Sequence, residues 1–325
     1  MTLTVNTELV ICTAETQDKH PELFHYTNLK AFESIVQSNA FWASHYADMA
    51  DQTEVLLMRD QLPAAIAPRF EKIVALLNRH RRRLFQAAGG GMGVAKDFVE
   101  SLYGATFLSK NGITALDPFM VSFSTHAGDG EFERKHGLLS QWKGYAGPDG
   151  FCLVFDTSAM AQHLGQEMDS RYWVHLVLES VRYAGAPVED LFPELVNASA
   201  DTLRQFLSGV RHPEMAVPEF LEGATLLKGA AFRPEREVRV VAIPGSKHLS
   251  DQAVKEHSDF KVMPLPMVRT RPGTTRRYVS IFEDLGLMLP IKRVIVGPSC
   301  RQKENAAFAR SLVGDVPVSL SQCSL

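Results

Sequence analysis

Phe151-Cys152-Leu153-Val154-Phe155, between Gly150 and Asp156, is apolar at every position. A strand with one wet face alternates apolar with polar residues; a strand without alternation is buried on both faces and sits centrally in a sheet. Cys152 then reads as a small buried hydrophobe. Working outward, residues 118–125 do alternate, with Phe119, Val121 and Phe123 against Ser122 and Ser124. Residues 23–27 form a short strand, and Asn28 is placed to cap a helix over 29–37, where Leu29, Phe32, Ile35 and Val36 recur at helical spacing. Residues 40–44 and 173–181 read as strands. So do 237–243, 261–265, 277–281, 293–297 and 316–320, with a helix over 302–312. Long helical patterns cover 53–87, 94–108 and much of 188–229, with Gly89 to Gly93 as a flexible joint.

Strands lie near both ends and helices between them, without βαβ alternation. The pattern predicts an α+β fold: one domain over 1–325, a mixed sheet core, and helical insertions over 53–115 and 188–229. A Rossmann fold is excluded by the same pattern.

Composition bounds the function classes. The 325 residues are 45% hydrophobic and 22% charged, with net charge −3. A chain this long buries a large core without staples. Its net charge favours no polyanion globally, so nucleic-acid binding needs a local basic patch. The four cysteines form no C-x-x-C pair, which suits a reducing compartment and gives no zinc pattern. Residues 1–18 lack a basic n-region, and no apolar run reaches the roughly 18 residues that span a bilayer. The expected location is cytoplasmic.

Four segments carry polar chemistry. His25 and Thr27 share one strand face, suited to a ribose or phosphate, or simply an edge strand facing water. Ser122 and Ser124 share another face; Gln141, Trp142 and Tyr145 converge if 138–145 is helical, suiting a flat heteroaromatic ligand or a core tryptophan beside a solvated glutamine. On a strand, Glu235, Glu237 and Arg239 share a face. The arginine can hold a carboxylate against a developing positive charge, or the row is an exposed salt-bridged face. The last segment is basic: Arg79-His80-Arg81-Arg82-Arg83, and Arg269, Arg271, Arg276 and Arg277 around Pro272-Gly273 beside Tyr278. Arginine with an aromatic suits single-stranded nucleic acid, and a solvated face is the ordinary alternative. No P-loop, H-E-x-x-H or G-x-S-x-G motif is present.

In order, these motifs resemble an uncharacterised bacterial domain family. They are Phe24-His25-Tyr26-Thr27, Trp42-Ala43-Ser44, Ala50-Asp51-Gln52-Thr53-Glu54, Ser122-Phe123-Ser124, the stretch from Ser140-Gln141-Trp142 to Asp156, Phe232 to Arg239, and Ile291 to Pro298. Ala50 stands where that family has Asn. The layout in turn resembles ADP-ribosyltransferases of the His-aromatic-Glu type. The resemblance implies a split sheet core and NAD as co-substrate without a metal. By it, His25 with Thr27 binds the adenine-side ribose, in a cofactor site also drawing on Tyr26 and Gln141. Trp42, Trp142 or Tyr145 stacks on nicotinamide, and Ser44, Ser122 or Ser124 supports the phosphates or the glutamate. Glu237 stabilises the oxocarbenium-like transition state, oriented by Arg239, with Glu235 as rival. The acceptor is a nucleic acid or a protein, and the analogy extends to toxins and phage-defence effectors. Two other readings stand beside it. One is a metal-dependent phosphoesterase or nuclease using His45, Asp48, Asp51 and Glu54, three apart and so on one face if helical. The other is a non-catalytic nucleic-acid-binding module.

Overall fold

The computed structural model describes residues 11–49, 54–107, 116–126, 128–210, 215–257, 259–271 and 274–324. The chain divides into two compact units. One comprises Met1–His45, Phe119–Ser180 and Pro234–Leu325; the other comprises Tyr46–Pro118 and Val181–Arg233. The strands in chain order are β1 (Glu22–Thr27), β2 (Phe41–His45), β3 (Phe119–Ser124), β4 (Phe151–Asp156), β5 (Trp173–Ser180), β6 (Arg182–Tyr183), β7 (Leu227–Lys228), β8 (Glu237–Pro244), β9 (Met267–Arg271), β10 (Thr274–Ile281), β11 (Ile291–Val296) and β12 (Val318–Leu320). The helices are α1 (Ala14–Lys19), α2 (Leu29–Ser38), α3 (Glu54–Ala75), α4 (Arg79–Ala87), α5 (Gly90–Phe107), α6 (Glu131–His136), α7 (Leu139–Gln141), α8 (Thr157–Ser170), α9 (Val188–Leu191), α10 (Pro193–Leu207), α11 (Val217–Leu226), α12 (Lys247–Glu256) and α13 (Gln302–Val313). Helices and a mixed sheet together make the fold α+β. No helix among the described residues is long and apolar enough to cross a membrane.

The first unit is built on a ten-stranded sheet running β12-β11-β4-β1-β3-β2-β10-β9, with β8 joining β3 to β5. β11 and β12 are parallel; the other pairings are antiparallel. β4 lies between β1 and β11, and its first five residues are buried on both faces, as its unbroken apolar run requires. β1 is internal rather than an edge strand. The strand expected at 261–265 is absent, because Pro264 and Pro266 remove ladder donors there, and β9 begins at Met267 instead.

Register divides the side chains between two faces. One face carries Leu23, Phe41, Phe119, Val121, Phe123, Phe151, Leu153, Phe155 and Val240 in the main core. The other carries Phe24, Tyr26, Cys152, Val154 and Ile295, packed with Trp142. α2 covers the main core: Asn28 Oδ1 accepts from the Ala31 amide at 3.0 Å and starts the helix. Phe32 stacks on Phe151 at 4.2 Å, and Asn39, at φ 50°, ends the helix in the left-handed conformation.

The second unit is helical, with β6 and β7 as a short parallel pair. The glycine run is no joint. Gly90 opens α5, and a Cβ on Gly91 would fall 2.7 Å from the Ala67 carbonyl oxygen of α3, so the missing side chain lets two helix backbones touch. The arginine cluster at 79–83 begins α4 rather than ending a helix, with Asn78 as its cap, and its side chains are exposed.

A cleft where the sheet splits

β1 and β2 share one edge of β3. β1 meets it at Ser124, opposite Phe24, and β2 meets it at Met120 and Phe119, opposite Ser44 and His45. Between those pairings, over Val121, Ser122 and Phe123, that edge carries no strand partner. His25 fills part of the opening. Its ring lies 5.8 Å from Phe41 and 5.6 Å from Phe123, and Nδ1 sits 3.0 Å from the Ser122 carbonyl oxygen. A carbonyl only accepts, so Nδ1 carries the proton and Nε2 of the neutral ring is an acceptor. Burial holds the imidazole below its ordinary value, and the bond to Ser122 opposes this in part.

A cleft of about 500 Å³ opens at this split, lined by residues that include His25, Tyr26, Thr27, Ile35, Phe41, Trp42, Ser44, Val121, Arg269, Arg276 and Tyr278. His25, Thr27 and Val121 belong to the core face by register, whereas Trp42, Ser44 and Tyr278 belong to the opposite face. The cleft therefore reaches both sides of the sheet. Trp42, 40% exposed, stacks on Tyr278 at 4.6 Å with an interplanar angle of 29°. The Arg269 guanidinium lies 5.0 Å over the Trp42 ring. The pairing of β2 with β10 makes this wall, and Arg269 opposite Arg276 on the β9–β10 hairpin adds its charge.

The other anticipated residues lie elsewhere. Glu237 and Arg239 form a buried pair, Nε to Oε1 at 2.5 Å and Nη2 to Oε2 at 3.1 Å, and do not line the cleft. They are not an exposed salt-bridged face, because β8 is flanked by β3 and β5. Register puts Phe24, Ser124 and Glu237 in one row on the face opposite His25. That face also carries Ser44 and Met120, and Arg239 Nη1 reaches Met120 Sδ at 3.7 Å. Glu235 does not share the strand face of Glu237. It ends a 3₁₀ turn, and Arg236, at φ 45°, breaks the alternation before β8 begins. The half-buried Glu235 carboxylate accepts from the exposed Tyr145 hydroxyl at 2.5 Å, and Ser124 Oγ donates to the Glu235 carbonyl at 2.8 Å.

Trp142 is fully buried, edge-on to Tyr26 at 4.9 Å, with Nε1 donating to the His136 carbonyl at 2.9 Å, so no ring face is left for a ligand. Gln141 is buried and Tyr145 is exposed. Arg277 leaves β10 on the face opposite Tyr278, and the side chain of Arg271 lies outside the described residues. For the metal reading, Asp51, like Ala50 of the resemblance, lies outside the described residues. His45 ends β2, Asp48 sits in a 3₁₀ turn and Glu54 begins α3, so no single helix face carries them. Glu54 instead faces Lys228 at 3.4 Å, both buried. Among the described residues no group of three His, Cys, Asp or Glu is placed to hold a metal ion. Tyr278 as the partner of Trp42 was missed by sequence reasoning; only strand pairing joins them.

Neither the protein-family models, nor the curated proteins, nor the solved structures offer a match to this chain.

Proposed function

We propose that the chain is an ADP-ribosyltransferase-like enzyme that cleaves NAD at the nicotinamide–ribose bond and transfers ADP-ribose to a macromolecular acceptor, on a split-sheet core of that type. One observation carries the reading. The sheet parts between β1 and β2 and opens a cleft with an imidazole within it and a tryptophan, a tyrosine and two arginines along its wall. A dinucleotide asks for those groups: a flat surface for a ring, cations for a pyrophosphate, and small polar groups for the riboses. The volume is within the usual range for small-molecule sites, roughly 300–1,000 Å³.

In this reading His25 Nε2 accepts from the adenine-side ribose and Thr27 assists. A ring of NAD packs on Trp42, and Arg269 and Arg276 face the pyrophosphate. The nicotinamide ribose lies on the far side of the split, toward the row Ser124–Glu237. Glu237 is preferred to Glu235 because Arg239 grips both its oxygens and holds the carboxylate in place. Cleavage breaks the bond from C1′ to the nicotinamide nitrogen, and its electron pair leaves with nicotinamide. The carboxylate stabilises the positive charge developing on the ribose, the acceptor adds its electron pair at C1′, and the acceptor's proton passes to water.

The test is nicotinamide release from NAD, with transfer of labelled ADP-ribose to RNA, DNA and protein fractions. The intact chain releases nicotinamide, and Glu237→Gln lowers the rate by about 10²-fold or more, as loss of a preorganised charge does. An intact chain that yields neither nicotinamide nor labelled product overturns the proposal.

A further inference from the structure

A second cavity, of about 720 Å³, lies in the same unit and shares no lining residue with the cleft. It is formed by the end of α1, the start of β1, His126, Gly128, α6 and the start of β11. Lys19, Arg134, Lys135, Lys292 and Arg293 line it, against only Glu22 and Glu131. Glu22 is already taken: it accepts from Arg293 at 2.5 and 2.8 Å and from Lys292 at 2.9 Å, and these partners hold its carboxyl down to about 2. The cavity therefore keeps a clear cationic surplus in a chain whose net charge is −3. The histidines add none of it. His126 is held down to about 4 by burial, and burial with the nearby Lys19 lowers His20. His20, 8% exposed, also lines the cavity, and its buried Nδ1 meets no hydrogen-bond partner among the described residues.

We propose that this basic pocket binds phosphate groups of a single-stranded nucleic acid. Cations from three elements, α1, α6 and β11, converge here; Arg293 and Lys292 offset Glu22, and Lys19, Arg134 and Lys135 add exposed positive charge, a site for phosphates. A cavity of this size takes a strand or a looped-out nucleotide and not a duplex. Its position gives it a use. Phe24, which lines the pocket, is in register with Ser124 and through it with Glu237. Two strand spacings, about 10 Å, thus separate Phe24 at the pocket floor from Glu237 along that row. A strand anchored by its phosphates in the pocket would bring neighbouring nucleotides to that row as the acceptor. The acceptor role rests on the function proposed above; the binding does not.

Binding is measured by fluorescence anisotropy with labelled single-stranded RNA and DNA oligonucleotides, without NAD, over a salt series. Arg134→Ala/Lys135→Ala removes two exposed cations and leaves the backbone carbonyl that Arg293 uses. The double variant is expected to bind about tenfold more weakly and to flatten the salt dependence by about 1.4 log units per log unit, at about 0.7 per lost contact. Its nicotinamide release without nucleic acid stays that of the intact chain. Unchanged affinity and slope would overturn the proposal. So would binding of inorganic phosphate or a mononucleotide with none of the oligonucleotide. Binding lost only in Arg269→Ala/Arg276→Ala would move it to the cleft and overturn it as well. Loss of oligonucleotide binding in the double variant, with no NAD cleavage by any form, would leave the pocket standing and remove only the NAD reading.

Discussion

His25 has one ring nitrogen committed to the Ser122 carbonyl and the other left as an acceptor in the cleft. Under the proposed function, His25→Ala lowers kcat/KM for NAD cleavage by about 10²-fold while the fold persists, which circular dichroism and steady-state rates together check. Burial keeps the ring neutral below its ordinary range, so activity falls on the acid side of pH 6.5, where protonation removes the acceptor. A pH–rate profile with no acid limb in the intact chain would contradict this role. His126 makes a separate prediction about stability. Nδ1 donates to the Glu133 carbonyl, Nε2 accepts from Tyr26, and the ring stacks on Phe24 at 3.7 Å. Between pH 6.5 and about 4 an unfolded chain binds a proton there that the folded chain refuses. Stability is therefore complete above 6.5 and drains away as pH falls through that window, by on the order of 3 kcal/mol from this residue. Urea unfolding across the window should show that slope, and His126→Gln should flatten it. The sequence offered no way to distinguish these roles: His25 and His126 are the same letter, and only packing decides which lines the cleft. Trp142 and Trp42 show the same limit. One fills the core and one stacks on Tyr278, though both sit in motifs of equal weight.

Elements were more legible than residues. β1, β3, β4, β8 and β11 are read correctly from period-two alternation or unbroken apolar runs, because register against a buried face imposes that pattern. The cap at Asn28 is a local event and was equally visible. What escaped depends on partners remote in sequence. α8 and α12 were not among the expected elements, and β9 was displaced by the prolines ahead of it. The glycine run misled because a helix glycine that permits close packing looks, in sequence, like a hinge. That packing is testable. Gly91→Ala sets a methyl against the Ala67 carbonyl and the Glu71 side chain, each at 2.7 Å, so α5 must lift from α3. Overpacking of this kind costs about 1–3 kcal/mol, against which alanine's better helix propensity returns less than about 1. A lowered urea midpoint with an unchanged slope is expected; an unchanged or raised midpoint would mean that the helix contact gives way freely.

At the scale of the molecule, the chain leaves the sheet unit at Tyr46 and again at Val181, and builds a helical unit from the two excursions. Helices α3 to α5 and α9 to α11 lie within the segments where loss of strand alternation predicts helix. The second compact unit was not visible in this way, since two segments far apart in sequence share its core. Every residue assigned to the cleft, and every residue lining the basic pocket, belongs to the sheet unit. NAD binding should therefore leave a local signature. A ligand that binds only the native state stabilises it by about 2.7 kcal/mol at one hundred times its dissociation constant. In hydrogen exchange this gain appears where the ligand orders backbone that otherwise opens. The edge of β3 that lacks a strand partner over Val121–Phe123 is such backbone, as are the flanks of the split in β1, β2 and β10. Saturating NAD is expected to slow exchange in peptides covering His25 to Asn28, Trp42 to Ser44 and Arg276 to Tyr278, and to leave α3 and α5 unchanged. Protection confined to α3 and α5 would place the ligand in the helical unit and remove the cleft from consideration. Protection absent everywhere at a concentration that supports turnover would mean that NAD is not held by the split at all.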